Sequence, residues 1–301
     1  MTSVPLFECV PNFSEGRHPQ VLAAIREAAI VPGVSLLGFD SDSDHNRSVL
    51  TLVGPAEALL TAVFQTTEVA VAQIDLNSHK GVHPRIGAVD VVPFVPWRAA
   101  TMGQARELAR QLGEQVASQL NLPVYFYAEA ATTSERVNLQ DVRRGEFEGL
   151  AERLLREKPD LGPSKPHATA GAVAIGARQI LVAFNVFLRT QDIKIARAVA
   201  RAVRGSSGGL LGVKALAMDT RSQSRVQVSM NLVDYPRTPL PRVLEMVRLE
   251  AQRFGVAIAE TEVVGLMPQA VVDDVMRYYL QMPGFSRDRV LETALLARDP
   301  E

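Results

Sequence analysis

Cysteine is almost missing from this 301-residue sequence. Cys9 is the single one, so no internal disulfide can form, and a reducing cytoplasm is the expected setting. Cys9 lies in a short apolar run, which reads as a buried, inert thiol and not a nucleophile. Net charge is nearly absent too, at −1. No global field exists to hold nucleic acid or an anionic membrane, so an anionic ligand must be held by local cationic clusters. The strand segments also lack the aromatic pattern of RNA-binding sheets. No apolar run approaches the roughly 20 residues that cross a bilayer, and the N-terminus lacks a basic region followed by an apolar one, so no signal peptide is expected. Gly-x-Ser-x-Gly, His-Glu-x-x-His and Cys-x-x-Cys are all missing, which removes the common serine hydrolase and zinc readings. A 47 % hydrophobic, 22 % charged chain of this length is globular and long enough for two domains.

Read in order, the chain repeats one pattern. Phe7 to Val10 is a short strand closed by Pro11-Asn12 and a loop from Phe13 to Arg17. His18 to Ile30 has helical spacing, with Val21, Ile25 and Ala28/Ala29 on one face, and Pro32-Gly33 breaks it. Val34 to Phe39 and Ser48 to Val53 are strands flanking an acidic turn. Pro55 opens a helix from Ala56 to Ile74, and Ala88 to Val92 is the next strand. This β-α-β-β-α-β order is the ferredoxin-like split βαβ arrangement. Met102 to Leu120 (helix), Pro123 to Tyr127 (strand), Gly145 to Arg156 (helix) and Ala172 to Ala177 (strand) extend it. The order then recurs in Ile180 to Asn185, Thr190 to Arg204, Leu210 to Ala217, Val226 to Leu232, Pro239 to Phe254 and Ile258 to Val264. Terminal helices are expected at Asp273 to Leu280 and Arg287 to Ala297. The two halves share no sequence repeat, so the repetition is one of topology. The fold class expected is α/β (α+β), with two ferredoxin-like βαββαβ subdomains, 1–179 and 180–301, divided between Arg178 and Leu181.

Six segments carry the polar chemistry. His79 to Phe94 packs two histidines, a lysine and an arginine into seven residues before an apolar strand. Gly81 and Pro84 forbid a helix there, so His83 is expected extended on a stiff loop. It reads either as a solvated surface loop or as a site whose polar groups face a cleft. Glu8 to Arg17 is a polar loop that reads equally as a helix-capping turn through Ser14 and Glu15. Asp40 to Arg47 alternates aspartates, but calcium fails on spacing: His45 and Thr51 stand where an EF-hand needs glycine and glutamate. A turn with Asp40 and Arg47 at the strand ends fits better. Pro159 to Arg178 carries Lys165, His167 and Arg178 among glycines and small residues, suited either to a ligand approaching the backbone or to an interdomain linker. Arg204 to Gly209 follows a helix and reads as its C-terminal stop. Val226 to Leu232 alternates as a strand with one solvated face. What survives is a histidine acid–base site with basic residues nearby, suited to a carboxylate-bearing substrate.

Several of these motifs resemble one family. They are Glu8-Cys9-Val10-Pro11-Asn12-Phe13-Ser14-Glu15-Gly16, Asn46-Arg47 with Val53-Gly54-Pro55, His79-Lys80-Gly81 with His83-Pro84-Arg85, Gly87-Ala88 with Asp90-Val91, and Gly176-Ala177-Arg178. Pro123-Val124-Tyr125, Arg144-Gly145-Glu146 and Val264-Gly265-Leu266 join them. Together they resemble the glutamate formiminotransferase (formimidoyltransferase) family over about residues 7 to 280. In animals this module is fused to a cyclodeaminase domain; a chain of this length is expected to be the stand-alone form.

The resemblance implies two α/β subdomains with a tetrahydrofolate-binding cleft between them, and an enzyme of histidine degradation and one-carbon metabolism. That transferase moves a formimino group between N-formimino-L-glutamate and N5 of tetrahydrofolate, giving 5-formiminotetrahydrofolate and L-glutamate. It implies His83 as general acid/base and a folate loop of Gly162, Pro163, Ser164, Lys165, Pro166, His167, Ala168, Thr169, Ala170 and Gly171. Val82 stands where some members carry glutamate. Asn12, Asp40, Arg47, Lys80, Arg85 and Arg178 are assigned to substrate, the cations to its carboxylates and Asp40 to orienting His83 or binding an amine. Tetrahydrofolate or its polyglutamates enter as co-substrate; no metal, nucleic acid or membrane partner is expected, and a cytoplasmic homodimer is. Transfer requires an amine to attack an amidine carbon while one nitrogen loses a proton and another gains one. A histidine of ordinary pKa, near 6.5, does both at neutral pH, contributing roughly 10²–10⁴-fold. Two readings stand beside this one: formyl transfer between 5-formyltetrahydrofolate and glutamate, and a non-catalytic folate-binding protein. The second has no use for a titrating group at His83.

Overall fold

Alternating apolar residues between turn formers supply two separate sheets. The structure, a computed structural model, describes residues 4–81, 83–220 and 225–296. It divides into two compact units between Gln179 and Ile180.

The first unit runs β1 (Leu6–Cys9), β2 (Asn12–Phe13), α1 (Pro19–Ala28), β3 (Ser35–Asp42), β4 (Arg47–Pro55), α2 (Ala56–Gln73), β5 (Val89–Pro96), α3 (Met102–Gln119), β6 (Val124–Ala128), α4 (Leu139–Val142), α5 (Glu146–Arg156) and β7 (Val173–Ala177). The seven strands form one sheet in which β3 pairs β4, β1 and β2 both lie between β4 and β5, and β7 and β6 follow. Pairing is antiparallel as far as β5 and parallel from β5 through β7 to β6. Side chains alternate across a strand. Phe7, Cys9, Leu50, Leu52, Phe94 and Ile175 therefore bury on one face against α1 to α3. Tyr125, Tyr127 and Ala174 bury on the other against Val142, Leu150 and Leu154 of α4 and α5.

The second unit runs β8 (Val182–Leu188), α6 (Ile193–Val203), β9 (Val213–Thr220), β10 (Arg225–Leu232), α7 (Leu240–Gln252), β11 (Ile258–Val264), α8 (Gln269–Tyr279) and α9 (Leu291–Leu296). Its sheet order is β11-β8-β10-β9, antiparallel throughout. Val182, Phe184, Val186 and Leu188 alternate toward a core shared with Val199, Val203 and Val243.

Several boundaries move from the sequence reading for local reasons. Asn12–Phe13 is a strand, because these residues pair with both β4 and β5. β3 continues past Phe39 to Asp42, since Asp42 still pairs with Arg47. The turn is thus shorter than Asp40 to Arg47. Gly145 is the left-handed cap before α5 instead of its first residue. Leu139–Val142 is an added helical turn, and Arg287–Arg289 is a 3₁₀ turn separate from α9. Val82 and Ala297 lie outside the described residues.

Candidate active site

The loop between α2 and β5 is pinned by backbone hydrogen bonds. Leu76 N–H donates to Thr169 O at 2.9 Å, Ala88 N–H to Ala170 O at 3.0 Å and Ala172 N–H to Ile86 O at 3.0 Å. Gly87 and Gly171 permit this approach. A Cβ on Gly87 would lie 1.9 Å from Ala172 O, and one on Gly171, with φ +71°, would lie 2.2 Å from Ile86 O; only glycine fits either position. The segment 162–171 is thereby fastened to the loop that carries His83. Inside that segment His167 Nδ1 accepts from Ala170 N–H at 3.1 Å, while Ser164 and Lys165 are exposed.

The two histidines of the loop have different surroundings. His79 Nε2 donates to Asn46 O at 2.9 Å and its Nδ1 accepts from Arg85 Nε at 3.0 Å. One neutral tautomer satisfies both, and burial lowers its pKa to match. Arg85 is also occupied: its terminal nitrogens donate to Glu148 at 2.9 and 2.7 Å and to Glu146 at 3.2 Å. Its charge, expected to meet a substrate carboxylate, already meets two from α5.

His83 belongs to a buried charged network. Arg47, the first residue of β4, donates from Nη1 to Asp90 Oδ2 at 2.8 Å, and from Nε and Nη2 to Asn12 Oδ1 at 3.0 and 2.9 Å. Asn12 is held in turn by Nδ2 donating to Val10 O at 2.8 Å. Arg143, at the C-terminal cap of α4, donates to the same Asp90 oxygen, and Asp90 Oδ1 accepts from Ile86 N–H at 3.0 Å. Burial alone would raise the Asp90 carboxyl; Arg143, Arg47 and the Ile86 N–H hold it down at about 2. His83 Nδ1 lies 2.8 Å from Pro84 O and 3.1 Å from Arg47 Nη1. The shorter contact assigns the proton to Nδ1, donating to Pro84 O, and leaves Nε2 as the basic nitrogen.

The protonation of His83 departs from the sequence expectation. Burial first, then Arg47 and Arg143, push its pKa down to about 2, against which Asp90 works only in part. The imidazole is thus neutral at physiological pH, with its base form fully populated but only weakly basic until negative charge enters the site. Two guanidiniums also share one buried carboxylate here, leaving an excess positive charge. Arg143 Nε is buried with no partner among the described residues, an unsatisfied donor that adds to the cluster's attraction for negative charge.

The other expected residues are spread wider. Asp40 is exposed on β3 opposite Val49, and among the described residues no hydrogen bond joins it to His83. Lys80 is exposed beside a hollow of about 570 Å³ lined with His79, Gly81, Arg85, Glu146 and Glu148. Arg178, just past β7, lies near Glu8 and Tyr127, whose pKa values burial raises and Arg178 lowers. Glu15 braces the turn before α1, its Oε1 accepting from Arg17 and His18 N–H at 2.6 and 2.9 Å, while α1 itself carries no side-chain cap.

Residues 6–178 match the formiminotransferase domain, N-terminal subdomain, and residues 183–291 the formiminotransferase domain. The chain belongs to the formiminotransferase family. A glutamate formimidoyltransferase of Streptococcus pyogenes serotype M1 is 44 % identical over 97 % of this formiminotransferase chain and 99 % of its own. One from Thermoplasma acidophilum is 46 % identical over 95 % and 96 %. A mouse formimidoyltransferase-cyclodeaminase is 39 % identical over 91 % of this chain, which spans 52 % of that longer protein. Among solved structures, a microcompartment protein from Desulfitobacterium hafniense overlays with a TM-score of 0.21 at 11 % identity, covering 89 % of this chain and 98 % of its own, too distant to carry an argument.

Three residues of this formiminotransferase site escaped the sequence reading. Asp90 had a legible signal, a lone carboxylate inside the run Val89 to Val92 that folding must bury and therefore pair. Arg143 had none, since it meets Asp90 only across the tertiary structure. His45 was read only as a misfit in a calcium loop, yet its ring lies against that of His83.

Proposed function

We propose that this chain transfers a formimino group between N-formimino-L-glutamate and N5 of tetrahydrofolate, with His83 as the base. Its relatives' names support the substrates, and the observation that carries the role of His83 is its neutral imidazole, fixed by Pro84 O beside Arg47 and Asp90. N5 of tetrahydrofolate supplies the attacking nitrogen when bound. His83 Nε2 takes its proton; Arg47 and Arg143, sharing one carboxylate, hold the glutamate carboxylates. The loop 162–171, with exposed Ser164 and Lys165 beside small residues, suits a flat ring with an anionic tail. Asn12 positions Arg47, while Asp40, Lys80, Arg85 and Arg178 are kept for outlying polar and anionic groups of the substrates. The strand orders β5-β1-β4-β3 and β11-β8-β10-β9 support the ferredoxin-like reading of both subdomains, 1–179 and 180–301. A cytoplasmic homodimer is part of the same proposal.

The test is a spectrophotometric assay with tetrahydrofolate and N-formimino-L-glutamate, the product being converted by acid to methenyltetrahydrofolate. Turnover is expected, with His83→Ala lowering kcat by roughly 10²–10⁴-fold while folate binding persists. Absence of turnover with bound folate would move the assignment to formyl transfer. Equal loss of turnover and folate affinity in His83→Ala would make His83 a binding residue.

A further inference from the structure

Formimino transfer moves two protons in opposite senses, and His83 alone is poorly suited to both. It is held neutral by burial and by two guanidiniums, so it has no proton to give and can only take one. The departing glutamate nitrogen needs a donor. A second imidazole stands beside it: the rings of His45 and His83 meet edge to face, centroids 6.3 Å apart at 62°.

That juxtaposition is built into the fold. His45 sits in the turn between β3 and β4. The turn is bolted to the His83 loop by Asn46 Nδ2 donating to Lys80 O at 3.2 Å and His79 Nε2 donating to Asn46 O at 2.9 Å. Gly81 lies so near that a Cβ there would be 2.3 Å from His45 O. Asp42 then aims the ring. Its Oδ1 accepts the N–H groups of Asp44 and His45, each at 2.8 Å, and its Oδ2 meets His45 Nδ1 at 2.8 Å. A carboxylate against Nδ1 fixes the orientation of the ring and leaves Nε2 as the working nitrogen. The His45 side chain keeps 18 % of its surface exposed. The charged and titratable groups around it are Asp42 on its own hairpin, His83 on the facing loop, and Arg17, whose Nε donates to Ser43 O at 2.7 Å. Arg47, Arg143 and Asp90 stand behind His83.

We propose that His45, anchored by Asp42, is the second proton-transfer group of this site, acting as the acid while His83 acts as the base. The proposal rests on the formimino-transfer reading. As the bond from N5 to the amidine carbon forms, the N5 proton passes to His83 Nε2. As the bond from that carbon to the glutamate nitrogen breaks, its electron pair stays on nitrogen, which receives the proton from His45 Nε2. Proton transfer from His83 to His45 then restores both, so no net proton is consumed.

The experiment is the pH dependence of kcat for wild type, His45→Gln, His45→Asn and Asp42→Asn, with KM and thermal midpoints alongside. An acid must be protonated, so its activity is lost as pH rises. The expected result is a wild-type profile that falls on both sides. Both His45 variants should lose about 10²-fold in kcat and the alkaline limb with it, while each KM stays within about twofold. Asp42→Asn, which removes the carboxylate that orients the ring, should lower kcat with KM little changed. Variants that lower the thermal midpoint but keep the full profile would overturn the proposal, leaving the pair a turn clamp. Unchanged kcat in either His45 variant would also overturn it while the function stands. Wild type without turnover on either the formimino or the formyl substrate would remove both, through the function itself.

Discussion

His83 has one carboxylate and two guanidiniums for neighbours, so its chemistry depends on what else enters the site. A substrate carboxylate placed against Arg47 and Arg143 adds negative charge beside the imidazole and stabilises its protonated form. L-glutamate is therefore expected to raise the His83 pKa, read from its ring-proton NMR shifts with and without ligand. An unmoved titration would place the glutamate carboxylates elsewhere. Arg143 should matter to binding as well as to folding, because it pairs with the buried Asp90 while its Nε has no protein partner among the described residues. Arg143→Gln is expected to raise the KM for formiminoglutamate about 10–100-fold, the worth of a charged hydrogen bond, with the folate KM little changed. Steady-state kinetics with each substrate varied in turn checks this.

At the scale of elements, the crossing of Gly87 and Gly171 holds the proposed folate loop to the His83 loop. Gly87→Ala or Gly171→Ala would force a Cβ onto a backbone oxygen that cannot move away without breaking sheet hydrogen bonds. Each should destabilise by at least about 1–3 kcal/mol and lower turnover by displacing His83. Gly149 is the control: it lies inside α5 with nothing within 4 Å of a built Cβ. Gly149→Ala should stabilise by about 0.5–1 kcal/mol through helix propensity alone. Urea midpoints of the three variants separate the two effects. These glycines were visible in the sequence as motif letters. Their partners, Ala172 O and Ile86 O, came into view only when β5 and β7 paired.

For the molecule as a whole, the half-buried neutral His83 makes stability pH-dependent. In the unfolded chain His83 protonates below about pH 6.5; in the native state burial and the guanidiniums hold its pKa at about 2. Its contribution is thus fully present above pH 6.5 and is lost as pH falls, at up to about 1.4 kcal/mol per pH unit. His79 acts in the same direction, and Asp90 enters only below about pH 3.8. Urea unfolding between pH 7.5 and 4.5 should show this slope, and His83→Gln should flatten it by as much as one proton; an unchanged slope would mean that native His83 titrates normally.

Most of the element order, though not Asn12–Phe13 or Leu139–Val142, and the loop bearing His83 were legible in the sequence, because alternation, helical spacing and Pro/Gly breaks act locally, within a few residues. So was Arg47 as a cation at a strand start. The tertiary structure alone decided which charges meet. It placed Arg85 on Glu146 and Glu148, gave Arg47 a partner in Asp90, brought in Arg143 from 53 residues further along the chain, and set His45 against His83. Ion pairing and desolvation depend on distance and burial through space, and residue order along the chain specifies neither until the sheet has closed.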